Sequence, residues 1–326
     1  MRRRELILML AGSVAAYPFA VRAQQTQRRI GVVMLYPDND PQGQLRADAF
    51  RGQLEKAGWT VGGNLQIDFQ WGIGDAAWVQ AATERALKLS PDVLLANGPA
   101  VQSALQLTKT VPVVFIGSGD PVADGLVHSV SHPGGNITGF AVMEPTLGAK
   151  LLGMLKQIAP RVSRVAVLMN PDNNTHEHVL MSLRNAAPGF AVKIESSPAR
   201  DRAEIEAAVS RLADAADYGV IVPSDPTVNT HRKLLVELTA RYRLPTIFSL
   251  RSAVVDGGLM SYGVDIVELF RQSAVYASRI LKGEKPADLP VQLPSKFEMV
   301  INTRTARALG LDIPASLLAT ADEVIE

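Results

Sequence analysis

The chain has 326 residues, 47% hydrophobic and 20% charged, with no cysteine and a formal charge of +1. That length supports two domains with separate cores, and that composition excludes the disordered and fibrous classes. Without cysteine there is neither a disulfide framework nor the lipid-bearing residue of a bacterial lipoprotein, and so small a charge gives no support to nucleic-acid binding.

The first segment, "MRRRELILMLAGSVAAYPFAVRAQQ", has arginines at 2–4, an apolar run from Leu6 to Ala16 and the small-residue pattern Val21-Arg22-Ala23 before Gln24. It reads as a secretory signal over residues 1–23, because the apolar run is shorter than the ~20 residues of a spanning helix. The paired arginines are compatible with twin-arginine export. Cleavage after Ala23 removes four arginines and one glutamate, which takes the formal charge to −2. A free periplasmic protein is expected.

From Arg29 onward, β-branched runs alternate with helical patterns. "RIGVVMLYP" precedes helices over "ADAFRGQLEKAG" and "AAWVQAATERALKLS"; "DVLLANGPA" from Asp92 and "VPVVFIGSGDP" from Val111 follow. "PGGNITGF" (133–140) reads as a turn entering a hinge strand. The order then repeats. "RVAVLMNPD" from Arg164 echoes the first strand, and helical "EHVLMSLRNAA" and "RAEIEAAVSRLADAA" precede "YGVIVPSDP" from Tyr218. "HRKLLVELTARYR" and "LPTIFSLRS" complete the second set, and "GGLMSYGV", a helix over 265–282 and "KFEMVINTRTARALGLDIP" form the tail.

Continuous apolar strands alternating with helices predict parallel sheets covered on both faces, and the internal repeat predicts two doubly wound α/β lobes. The extra tail elements predict a three-segment hinge at 139–145, 248–252 and 289–295. One lobe is expected from 28–140 with 253–290, the other from 145–248 with 295–326.

Enzyme chemistry is sparse. His176 and His178 in "THEH" are two apart, which points them away from each other on a helix, and no metal-ligand spacing follows. The motifs offer no nucleophile elbow, phosphate-binding lysine loop or dinucleotide fingerprint, so neither an enzyme, a cofactor nor a metal is expected.

The strand-to-helix turns are better candidates, since ligands bind at the carboxyl edge of such sheets. Gly98-Pro99, Asp120-Pro121 and Asp225-Pro226 each read as a helix start. The turn Asn97-Gly98-Pro99-Ala100, through the free amides of the helix start that follows it, can receive a carboxylate together with Ser118 and Gly119. Asp120 of one lobe or Asp225 of the other can receive an ammonium, although Asp-Pro is also an ordinary cap. Ser224 and Thr227 add neutral hydrogen bonds. Asn170, Asn173 and Asn174 donate to a ligand or make the turn, and Tyr36, Phe248 and Tyr262 lie where an aromatic face stacks on a guest or walls a cleft.

The signal, the "GSGDPVADGLV…PGGNITGF" block, "VPSDPTV" and the tail from "SYGVDIVELF" to "LLATADEVIE" together resemble the substrate-binding proteins of ABC importers, tryptophan/tyrosine-transport type. The resemblance covers the mature chain. It implies the type I periplasmic binding fold and a monomer that closes on an amino acid or related aromatic compound. An inner-membrane ABC permease is the implied partner. It also places ligand-contacting turns at 97–100, 118–120, 170–174 and 224–227. An exported ligand-sensing module for a membrane signalling receptor is the alternative on the same fold.

Overall fold

The computed structural model describes residues 27–326 apart from 74–75, 172 and 214–216. The expected signal over 1–23 lies outside the described residues.

The first lobe is built on a five-stranded sheet. Its strands are β1 (Arg28–Met34), β2 (Leu65–Trp71), β3 (Val93–Asn97), β4 (Val113–Ile116) and β5 (Ile137–Phe140), in the order β2-β1-β3-β4-β5. Every pairing is parallel. Period-two geometry sends Ile30, Val32 and Met34 to one face and Val33 and Leu35 to the other, and each face carries its own buried cluster. Helices α1 (Pro41–Lys56), α2 (Ala76–Lys88) and α3 (Ala100–Leu107) cover the faces.

The second lobe repeats the plan. Its helices are α4 (Leu147–Ile158), α5 (Asn174–Ala186), α6 (Arg202–Ser210), α7 (Pro226–Thr230), α8 (Arg232–Arg241) and α9 (Arg251–Val255). Its strands are β6 (Arg164–Met169), β7 (Lys193–Pro198), β8 (Tyr218–Val222), β9 (Thr246–Phe248), β10 (Met260–Gly263), β11 (Glu298–Asn302) and β12 (Glu323–Ile325). The order is β12-β11-β10-β9-β8-β6-β7, and here β10 and β11 run antiparallel, a departure from an all-parallel sheet. Val165, Val167 and Met169 face one cluster, Ala166 and Leu168 the other.

The chain passes between lobes three times. The first passage follows β5, at 141–146. The second was expected at 248–252, but α9 and β10 stay in the second lobe, where Met260 and Ser261 pair with Ile247 and Phe248. The chain leaves only after Gly263, because the next apolar face belongs to the first lobe. That face is α10 (Ile266–Leu281), whose Phe270, Ala274, Ala277 and Leu281 join the cluster of Ile30, Phe50 and Leu95. The third passage follows Gln292, whose N–H donates to the Gly139 carbonyl at 2.9 Å while its own carbonyl accepts from Ala141 N–H at 2.9 Å. These bonds extend the first sheet before the chain returns to β11.

Asp120-Pro121 does not open a helix. The Asp124 N–H donates to the Asp120 carbonyl for a single turn, and Gly125 at φ +70° ends it. Among the described residues no helix is long and apolar enough to cross a membrane.

Candidate functional site

The carboxyl ends of both sheets face one another across a cavity. Tyr36, Arg46, Asn97, Gly98 and Phe270 contribute from the first lobe, and Asn173, Ser224, Asn229, Tyr262 and Phe297 from the second. Its floor comes from the passages between lobes, Val142 and Met143 in one and Gly263 and Val264 in another. Closing the lobes therefore moves the walls about their own floor. Tyr262 and Phe297 stack at 5.2 Å between centroids, 10° from parallel, presenting an aromatic surface. A second, more polar cavity shares Gly98, Gly117, Asn173 and Thr175, and adds Gln80, Gln102 and Asp124.

The turns are held from within. Gly98 has φ +53°, a left-handed geometry that glycine adopts without a Cβ penalty, and the Asn97 amide behind it donates to the Val33 carbonyl at 2.8 Å. Asp225 is buried: its Oδ1 accepts from the Thr227 N–H at 2.8 Å and the Val228 N–H at 3.3 Å, and its Oδ2 from Asn173 Nδ2 at 3.0 Å. The His176 ring, also buried, sets its nitrogens 2.9 Å from the Asn170 carbonyl and 3.3 Å from that of Ser224.

Two side-chain contacts among the described residues bridge the lobes. Asn229 Nδ2 donates to the Tyr36 hydroxyl at 3.3 Å. On the rim, His178 Nε2 lies 2.7 Å from Asp124 Oδ1, and Ser118 Oγ donates to Asp124 Oδ2 at 2.6 Å. The approach is close enough that a Cβ on Gly119 would fall 2.5 Å from that of His178.

The structure separates the expected residues into three groups. Tyr36, Asn97, Gly98, Asn173 and Ser224 line the cavity, and Pro99 lines the neighbouring one. Ser118, Gly119, Asp225 and Thr227 stand behind the walls or on the rim, where Asp225 is buried and engaged by three donors of its own lobe. Asp120, Ala100 and Phe248 are corrected. Asp120 is exposed and accepts from the N–H groups of Val122 and Ala123, so it caps its own turn. Ala100 packs in the first lobe's core. Phe248 is one residue out of phase with Ile247 on β9 and turns into the cluster behind the sheet. The Asn174 side chain falls outside the described residues.

Sequence reasoning missed Arg46, Asp124, His178 and Asn229. Arg46 is 3% exposed, its guanidinium carbon lies 4.4 Å from the centroid of the Tyr36 ring, and its Nε has no hydrogen-bond partner among the described residues. One signal was present: Arg46 falls on the stripe of Gly43, Ala47, Phe50 and Leu54 at helical spacing.

A sequence model of the ABC transporter substrate binding protein family matches residues 39–325. The chain belongs to that family. A tyrosine-binding protein of Clostridioides difficile strain R20291 is 26% identical over 286 residues, 87% of this chain and 81% of that protein. Among solved structures, an ABC domain in complex with L-Trp from Streptococcus pneumoniae superposes with a TM-score of 0.83 at 26% identity, covering 92% of this chain and all of that one. The ligand-free, open structure of a substrate-binding protein with adhesive properties from Clostridium difficile gives 0.64 at 25% identity, over 91% of this chain and 99% of that one. At nearly equal identity the ligand-bound relative fits better, in keeping with the direct contacts between lobes seen here. Solute binding is the business of this family, and the fold is that of its type I periplasmic members.

Proposed function

We propose that this chain is the solute-binding component of an ABC importer, which captures an amino acid or related aromatic compound between closing lobes and presents it to a membrane permease. The cavity carries the reading: its walls come from two lobes, its floor from the passages between them, and its lining is largely apolar and aromatic with a few polar groups. In such a device the ligand stabilises the closed arrangement by touching both walls, and no covalent step is needed. The N-terminal segment, read as a secretory signal, supports a periplasmic carrier that delivers its solute to the permease.

Isothermal titration of the purified protein against aromatic and aliphatic amino acids and aromatic acids tests the reading. At least one aromatic member is expected to bind one-to-one with negative heat-capacity change, as apolar surface is buried. No binding by any member would count against it.

A further inference from the structure

The cavity contains a fixed positive charge and, among the described lining residues, no aspartate or glutamate. A guanidinium stays protonated in any protein environment, so the buried Arg46 is a cation whose counter-charge is missing from the lining. The acids nearby are engaged or belong elsewhere. Asp225 is buried behind the wall, outside the lining, and is engaged by Asn173 and two backbone N–H groups. Glu144 pairs with Lys150, and Asp256 with Arg232. Asp265, which borders an outer groove that Arg46 also reaches, accepts from the Glu268 N–H. Glu298 borders the same outer groove, where burial first and then the Asp265 charge raise its pKa against the opposing pull of Arg251. None of these acids stands within ion-pair distance of Arg46 among the described residues.

Resting on the solute-binding reading above, we infer that the cavity selects a carboxylate with an aromatic or apolar body and no ammonium group, with Arg46 as the carboxylate's partner. Held over the Tyr36 ring, the guanidinium retains N–H donors in its own plane, and these match the two oxygens of a carboxylate. The stacked Tyr262 and Phe297 rings, with Phe270, Leu147 and Leu151, receive the body. A zwitterion would bring its ammonium into a space whose fixed charge is already positive, with only neutral oxygens to meet it.

Matched pairs decide the point by isothermal titration: 3-(4-hydroxyphenyl)propionate against L-tyrosine, and indole-3-propionate against L-tryptophan. The acid of at least one pair is expected to bind about tenfold or more tighter than its amino acid, since one desolvated charge contact is commonly worth that factor. Arg46→Gln should remove most of the acid's affinity, while Arg46→Lys, which keeps charge but loses the planar fork, should retain part of it; thermal melting checks the fold of both. Amino acids binding as tightly as their acids would overturn the inference and leave the solute-binding proposal intact. So would full acid affinity in a folded Arg46→Gln protein. Silence across both pairs would strike the aromatic-ligand reading itself and this inference with it.

Discussion

Asp225 holds three groups at once: two backbone N–H groups at the start of α7 and the Asn173 amide from the turn before α5. Replacing it with alanine removes a cap and strands a buried amide donor, so Asp225→Ala is expected to cost about 1–3 kcal/mol in urea denaturation. A loss well under 0.5 kcal/mol would show that the two turns do not depend on the carboxylate. At this scale the sequence is ambiguous for a physical reason. Asp-Pro is the same dipeptide at 120 and 225, yet one carboxylate is exposed and caps a single turn while the other is buried, caps a helix and joins two loops. What separates them is the neighbour fifty-two positions away in sequence, Asn173, and no local pattern reports it. Arg46 is the converse case: its place on an apolar stripe was written in the helix, but a lone arginine there gives no hint that it faces a cavity.

Elements were legible where their periodicity was strong and misread where tertiary position decides. The central strands declared themselves as continuous apolar runs because both faces are covered. Edge strand β2, by contrast, alternates Leu65, Ile67, Phe69 and Trp71 with polar partners, and it does not share the grammar of its neighbours. The place of β10 depends on pairing with β9, a long-range property, so the second passage between lobes was set too early. Where β6 begins and β8 begins, an ion pair locks the elements together: Arg164 Nη2 lies 2.7 Å from Asp217 Oδ1, with Ser163 Oγ donating to the same carboxylate. Arg164 first, then Ser163, lowers the Asp217 pKa to about 2. Its native value lies below its unfolded one, so the stabilisation is complete above the ordinary carboxylate range and fades as pH falls through about 2. Asp217→Asn should therefore lower the melting temperature at pH 7, with the gap to the parent protein closing between pH 4 and 2. Because the pair is solvent-accessible, added salt should shrink the gap at pH 7 as well. A gap independent of pH would assign the effect to something other than this charge.

At the scale of the molecule, affinity is the product of contact chemistry and the fraction of time the lobes are closed, since a partly populated competent state raises the apparent dissociation constant by that fraction. The His178, Asp124 and Ser118 chain lets these factors be separated. Its hydrogen bonds span α5 of one lobe and the turn after β4 of the other, on the rim, whereas Arg46, Tyr262 and Phe297 lie inside. Removing the imidazole with His178→Ala deletes a contact made only when the lobes meet. A hydrogen bond to a charged group contributes about 1.5–3 kcal/mol at most, so the apparent affinity should fall about 10- to 100-fold at the upper end and about threefold if solvent at the rim screens it. Gly119→Ala attacks the same meeting point by bulk, because the new methyl would overlap His178. Both variants should leave the relative ranking of ligands unchanged while weakening every one, and solution scattering of the ligand-free protein should show a larger radius of gyration if the contact already holds part of the population closed. Altered ranking would mean that the rim reaches into the cavity and takes part in selecting the guest; unaltered affinity in both variants would mean that the bound protein closes along a different line of contact from the one seen here.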